Sequence, residues 1–194
     1  MKRLFIYLSL LASLGLAPAS WANSQIHTVR GFMPDLKFEL ISAKQEAPFT
    51  EKDVADKVVL MFFGYASCPD ICPTTMAQLA EVMEKLGDNA EQVRILFVSV
   101  DPYRDTAELL QDYVEIFDDR YAIGLTGTPK QIAQVARRYR VAYQVEKPKD
   151  DTSTAYEVAH SRGVYFFDGE GKARYLASDS EEVEALVENV KTLL

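Results

Sequence analysis

Seven consecutive residues without a polar side chain, Val58 to Gly64 (VVLMFFG), constrain the fold more than any other stretch. Such a run is typical of a strand that is covered on both faces of a sheet. A second strand of this kind is predicted at residues 94–100 (RILFVSV). Buried strands that alternate with helices are typical of a parallel sheet between helical layers. The pattern therefore predicts an α/β fold.

Helical spacing of apolar residues begins directly after the first strand. From Pro73 to Gly87 the apolar stripe predicts a helix with the proline in its first turn and the glycine as its C-terminal cap. Further helices are predicted at residues 106–117 and 129–139, and a final one is predicted near the C-terminus. The stripe of that last helix is Val183, Leu186, Val187, Val190 and Leu194.

The remaining segments predict shorter elements. Residues 36–42 alternate loosely as a strand would, and residues 163–167 and 172–176 flank a DGEG turn as an antiparallel hairpin. Ser178 and Glu181 predict a capping box for the last helix. The polar stretch 146–154 (EKPKDDTST) is predicted to be the least structured part of the mature chain.

The N-terminus reads as an export signal. Lys2 and Arg3 precede an apolar run at residues 4–17, and Ser20-Trp21-Ala22 supplies small residues for cleavage. We expect residues 1–22 to be a signal peptide and residues 23–194 to form one domain. A retained membrane anchor is the second choice, because a bilayer span needs about 20 apolar residues and Pro18 and Ser20 interrupt this run early. The expected location is periplasmic or otherwise extracytoplasmic.

The charge of the mature chain limits its partners. Without Lys2 and Arg3 the basic count falls from 21 to 19 against 29 acidic residues, a net charge of −10. Nucleic acid and anionic lipid would be repelled by this charge. We therefore expect no nucleic-acid binding, and membrane contact only through an N-terminal anchor.

The chain has two cysteines, Cys68 and Cys72, and both lie in the crossing from the first buried strand to its helix. The positive end of the helix predicts stabilised thiolates and hence reactive cysteines. Three intervening residues allow either a disulfide or a shared soft ion such as Cu(I) or Zn(II). A purely structural disulfide would close a very small loop and stabilise little. A two-thiolate metal site normally needs a further ligand.

Two histidines could supply that ligand. His27 lies near the expected mature N-terminus and is interpreted as a solvated side chain. His160 directly precedes the predicted strand 163–167. The chain resembles thioredoxin-like domains, in which that place normally holds a proline packed against the cysteine loop, so the imidazole is expected to face both sulfurs. Met76 and Met83 fall on the helix stripe and are interpreted as core.

The quoted motifs together resemble the Sco (SenC-type) copper proteins. The resemblance is carried by residues 63–65 (FGY), 67–73 (SCPDICP), 98–102 (VSVDP), 104–106 (RDT), 124–129 (GLTGTP) and His160-Ser161. It implies a thioredoxin-like fold with a central mixed β-sheet flanked by helices and an N-terminal β extension. It also implies that Cys68, Cys72 and His160 bind one copper ion, as Cu(I) or Cu(II), and that the two cysteines form a redox-active pair.

The family role implied is that of a metallochaperone that receives copper from a donor chaperone. The recipient would be a cytochrome c oxidase subunit or another cuproprotein. Asp101 is expected to support the site from nearby. Family members commonly carry an acid immediately before the histidine, where this chain has Ala159. If that acid orients the ring or assists docking, the chain uses Glu157 instead or does without it, and its copper affinity or choice of partner would then differ.

A thiol:disulfide oxidoreductase is the alternative function. Cys68 would attack and Cys72 would resolve, so that a partner's metal-binding cysteines stay reduced. A peroxidase is a weaker option, because the adjacent Arg and Thr typical of that class cannot be placed near Cys68.

Overall fold

The computed structural model describes residues 26–29, 31–45, 48–146, 156–177 and 182–194. The strands in these ranges are β1 (His27–Thr28), β2 (Glu39–Leu40), β3 (Phe49–Thr50), β4 (Val58–Gly64), β5 (Val93–Ser99), β6 (Ala122–Leu125), β7 (Tyr143–Val145), β8 (Val158–His160), β9 (Val164–Phe167) and β10 (Ala173–Ala177). The α-helices are α1 (Ile71–Leu86), α2 (Ala107–Glu115), α3 (Pro129–Arg138) and α4 (Val183–Lys191). The predicted signal peptide, the capping box of Ser178 and Glu181, and residues 147–154 lie outside the described residues.

Six strands form one mixed sheet in the order β1-β10-β9-β4-β5-β6. The neighbours β4, β5 and β6 are parallel, whereas β9, β10 and β1 join them in antiparallel pairs. Two further pairs, β2–β3 and β7–β8, form small separate sheets. The predicted central mixed sheet with an N-terminal β extension is confirmed.

Helices cover both faces of this sheet. Every residue of β4 is buried, and alternate residues point to opposite faces. Val59, Met61 and Phe63 join a core cluster with α3 and the N-terminal segment, whereas Val58, Leu60 and Phe62 join another cluster with α1, α2 and α4. Burial on both sides explains why this strand lacks the alternation of a half-exposed one.

The helix ends follow local capping chemistry. Gly87 has a φ of 57° and ends α1, as its position after the apolar stripe predicts. Thr106 caps α2, and Thr128 forms a capping box with Gln131 at the start of α3. α1 begins at Ile71, two residues before Pro73, so Cys72 lies within its first turn.

The strand β6 and the hairpin β7–β8 were not predicted from the sequence. β6 has only four residues and contains Gly124, which lowers strand propensity. A Cβ atom at Gly124 would lie 2.7 Å from the Leu110 backbone, so the glycine permits close packing of α2 on the sheet. The two strands of the β7–β8 hairpin are separated in sequence by the polar stretch, so no local pattern indicated that they pair.

Across the described ranges, none of the helices combines the length and apolar character that a membrane crossing requires.

Candidate metal centre

The cysteine loop lies at the carboxyl edge of the parallel strands. Gly64 and Ser99 are partners in the β4–β5 pairing, so the loops that follow them leave the sheet side by side. The Asp105 carboxylate ties these loops together, because one of its oxygens accepts bonds from the Ala66 amide at 3.0 Å and the Ser99 hydroxyl at 2.6 Å. Burial raises the pKa of Asp105, and these hydrogen bonds oppose that rise.

The two cysteines differ in exposure. Cys68 lies in the loop, where its amide donates to the Tyr65 carbonyl at 3.1 Å, and its side chain is partly exposed. Cys72 is fully buried between α1 and the sheet. Both are free thiols.

The expectation of a stabilised thiolate is wrong for Cys72. Burial raises the pKa of this thiol well above its ordinary value, and the nearby Cys68 and Asp105 raise it further. A backbone hydrogen bond from Tyr65 lowers the pKa but does not offset burial. Desolvation of the charged form therefore outweighs the helix dipole at this position.

His160 ends the strand β8 and faces the cysteine loop. The neighbouring amide of Ser161 donates to the Ala142 carbonyl at 2.7 Å and extends the hairpin past the histidine. The imidazole meets the rings of Tyr65 and Phe62 edge-on, with centroids 5.9 Å and 6.4 Å away. These contacts fix the plane of the imidazole ring.

A hydrogen bond defines which ring nitrogen of His160 carries the proton. Nδ1 lies 3.0 Å from the Ser161 carbonyl oxygen, which can only accept, so Nδ1 carries the proton. In the neutral ring, Nε2 is then the nitrogen that carries the lone pair. Nε2 lies 3.7 Å from Cys72 Sγ, the position required of a metal ligand.

The three residues proposed as ligands lie together. One ligand atom each from Cys68, Cys72 and His160 falls within 4.8 Å of the others. Metal–sulfur and metal–nitrogen bonds are about 2.0–2.3 Å long, so a common ion is within reach after small shifts. Two sulfurs and an imidazole suit Cu(I) or Zn(II) and do not suit hard cations such as Mg²⁺. The donor set therefore fits copper.

A cluster around an arginine lies beside the histidine. The Arg104 guanidinium lies 3.7 Å from the Tyr156 ring centroid and 5.5 Å from that of Tyr65. Its Nε donates to the buried Asp101, whose other oxygen accepts from the Tyr156 hydroxyl at 2.7 Å. The Tyr65 hydroxyl donates to Glu157 at 3.0 Å. Burial, followed by the bonds to Glu157 and Asp101, raises the pKa of Tyr65 and Tyr156 to about 12.

The remaining residues named from the sequence lie around the site, in β1 and in the core. Asp101 pairs with Arg104 and accepts from Tyr156 beside the histidine, and its support of the site stays a prediction. Glu157 binds the Tyr65 hydroxyl, and the ring of His160 is oriented by a backbone carbonyl, so no acid at Ala159 is needed for that purpose. His27 lies exposed in β1, opposite Leu176. Met76 and Met83 are buried core residues, as interpreted.

Gly64 is a site residue that sequence reasoning did not single out. A Cβ atom there would lie 2.5 Å from Cys72 Sγ and 2.9 Å from the Phe97 ring. The missing side chain thus makes the space that the buried sulfur occupies. A glycine at the end of a buried strand is the signal that could have found it.

The fold and site define a class: a thioredoxin-like protein in which a cysteine pair at a strand-to-helix crossing meets a histidine from a separate hairpin. The chain belongs to the SCO1/SenC family, whose model matches residues 33–194.

This chain matches different shares of the length of its relatives. The chain is 37% identical to the mitochondrial protein SCO1 homolog 1 of Arabidopsis thaliana over 142 residues, 73% of this chain and 41% of that protein. It is 35% identical to an SCO2-like protein of Rickettsia prowazekii over 156 residues, 78% of this chain and 74% of that protein. Among solved structures, ScoI of Bradyrhizobium japonicum with copper bound superposes with a TM-score of 0.72 at 32% identity. That match covers 82% of this chain and 99% of the other.

Proposed function

We propose that this protein binds one copper ion through Cys68, Cys72 and His160 and delivers it to a copper protein during assembly. The observation that carries the proposal is the convergence of three suitable ligand atoms within 4.8 Å of one another. The copper-bound relative from Bradyrhizobium japonicum supports the choice of metal. We propose cytochrome c oxidase, or a similar cuproprotein, as the recipient.

The unequal exposure of the ligands suits transfer of copper as cargo. Cys72 is buried and would hold the ion from within, whereas Cys68 and His160 are partly exposed at the surface. Three protein ligands leave a position at which an incoming ligand of the recipient can bind. Exchange would then proceed by replacement of the exposed ligands before Cys72.

The charge of the chain and its N-terminal segment indicate which partner surfaces and which compartment suit this function. A net charge of −8 for the whole chain favours donor and recipient surfaces that are neutral or basic. We propose that the protein is exported to an extracytoplasmic compartment by residues 1–22, with an N-terminal anchor as the alternative. A single domain from residue 23 onward remains part of this proposal.

Copper titration of the reduced protein tests the ligand set. One equivalent should bind tightly to the wild type, and His160→Ala should weaken binding by about 10-fold or more, because only two thiolates remain. His27→Ala is the matched control and should bind as the wild type does, since this histidine lies in β1 away from the cysteines. Equal affinity of all three proteins would show that the ligand set is wrong.

A second candidate function is thiol:disulfide exchange, and the difference in exposure of the cysteines favours it. The thiolate of Cys68 would attack a partner disulfide to give a mixed disulfide and release one partner thiol. Cys72, after losing its proton, would displace the second partner thiol and leave a Cys68–Cys72 disulfide. Two electrons pass to the partner, and a reductant must restore the dithiol.

Reduction of a disulfide-bonded peptide separates the two functions. The redox route does not use an imidazole ligand, so His160→Ala should retain turnover while copper binding is weakened. Cys68→Ser should lose both. If the wild type shows no turnover when a reductant is supplied, the protein is not a thiol:disulfide oxidoreductase.

A further inference from the structure

The hairpin that carries His160 stands outside the six-stranded sheet. Its strands β7 and β8 pair with each other, with Tyr143 opposite His160. Val158 packs into the core and anchors the start of β8. The distance between the imidazole and the cysteines therefore depends on contacts between this hairpin and the loops after β4 and β5.

Arg104, in the loop after β5, holds the residue that leads into β8. Its Nη1 donates to the Tyr156 carbonyl at 2.9 Å, and its guanidinium carbon lies 3.7 Å from the Tyr156 ring centroid. Its Nε pairs with Asp101, which also accepts from the Tyr156 hydroxyl. The Arg104 side chain is 16% exposed and that of Asp101 is fully buried, so solvent screens this pair weakly. Tyr156 is thus held by its backbone, its ring and its hydroxyl.

The same guanidinium reaches the histidine by a second route. It lies 5.5 Å from the ring centroid of Tyr65, and that ring contacts the edge of His160. The Tyr65 hydroxyl binds Glu157 in the residue pair that precedes β8. Arg104 therefore contacts one tyrosine that leads into the strand and another that touches the imidazole.

We propose that Arg104 is a positioning residue for His160, which keeps the imidazole facing the two sulfurs without contributing a ligand. A planar guanidinium is suited to this task, because it can stack on a ring while donating in two directions. Loss of Arg104 should release the nitrogen ligand and leave the cysteine pair intact. This role of Arg104 rests on the proposed copper function only in the experiments that use copper; the experiments on the metal-free protein do not depend on it.

Arg104→Gln tests the proposal, and Arg174→Gln is the matched control. Arg174 also pairs through Nε with an aspartate, Asp168, and is partly buried, but it lies on β10. Hydrogen exchange of the metal-free proteins comes first. The amides of Ser161 and Glu146, which bond across the hairpin, should exchange about 10-fold faster in Arg104→Gln and at the wild-type rate in Arg174→Gln.

Two further readouts separate positioning from general destabilisation. Alkylation of Cys68 in the metal-free protein should proceed at the wild-type rate in both variants. X-ray absorption of the copper-loaded proteins should show the nitrogen ligand lost or reduced only in Arg104→Gln, with copper affinity lower by about 10 to 100-fold.

The proposal is overturned if the two variants change hairpin exchange equally, or if Arg104→Gln keeps wild-type protection. Arg104→Lys serves where the glutamine variant does not fold, because it keeps the charge beside Asp101 but cannot stack and donate in both directions. The amides of Ser161 and Glu146 should also exchange faster in Arg104→Lys. Exchange at the wild-type rate in that variant would equally overturn the proposal. Should the wild type bind no copper, the proposed function fails while the exchange measurements still decide the role of Arg104.

Discussion

Cys68 and Cys72 carry the same side chain four positions apart, yet their surroundings give them different chemistry. Cys72 sits against the end of β4, where burial raises the pKa of its thiol. Cys68 is partly exposed and open to a partner. At the scale of single residues, the space around a sulfur therefore decides its role more than its place in the motif does.

Gly64→Ala tests the space around Cys72. The added Cβ would lie 2.5 Å from Sγ, so the sulfur must move away from its place beside His160. We expect a loss of about 1–3 kcal/mol in the free energy of unfolding together with weaker copper binding. Urea unfolding and copper titration measure the two effects.

Gly124→Ala is the matched control for that substitution. Its Cβ would lie 2.7 Å from Leu110 and should destabilise the protein without displacing a cysteine. Copper affinity should stay at the wild-type value in this variant. Equal losses of copper affinity in both variants would show that Gly64 has no specific effect on the site.

At the scale of elements, the β7–β8 hairpin is the part of the fold that copper should affect most. Its strands are three residues long and, within the described ranges, pair only with each other, whereas both cysteines belong to the β4–α1 crossing. A shared ion would join these two elements. The sequence predicted residues 146–154 to be the least structured part of the mature chain, and Glu146 is the one residue of that stretch in the described part of the chain.

Amide exchange with and without copper measures this effect. Ser161 and Glu146 donate across the hairpin, and their exchange should slow by up to about 100-fold at free copper 100 times above Kd. The amide of Asp168, which bonds to the Lys172 carbonyl in the β9–β10 turn, is the internal reference and should change little. Equal protection of the hairpin in both states would contradict the coupling.

At the scale of the whole molecule, buried and half-buried tyrosines make the free energy of unfolding depend on alkaline pH. Burial is the leading cause of a raised pKa in each of Tyr65, Tyr113, Tyr139, Tyr156 and Tyr165. The value reaches about 12 for Tyr165, whose hydroxyl donates to the Tyr139 carbonyl at 3.1 Å. The folded chain thus keeps protons that the unfolded chain releases above pH 10.

The free energy of unfolding should therefore be unaffected by these groups below pH 10 and fall between pH 10 and 12. For Tyr165 alone the fall is about 1.4 kcal/mol per pH unit. Urea unfolding of Tyr165→Phe should show a smaller slope with pH in that window than the wild type, whatever its stability at pH 7. Tyr103→Phe, at an exposed tyrosine, should follow the wild type, and identical slopes in all three proteins would contradict the prediction.

The sequence by itself determined the two central strands, the helices and the candidate ligands. Burial of β4 on both faces, the capped end of α1 at Gly87 and the place of Cys72 at a helix start all follow from patterns within about twenty residues. Such patterns report local preference, so they predict where strands and helices lie. The resemblance of short motifs added His160 to the two cysteines.

Only the tertiary structure decided how these residues act together. Cys72 and His160 are 88 positions apart, and their 3.7 Å separation depends on a hairpin that no local pattern predicted. Desolvation of Cys72, the space beside Gly64 and the contacts of Arg104 are likewise products of packing between distant segments. Burial and distance are properties of the assembled core, which is why a helix-start argument gave the wrong direction for the pKa of Cys72.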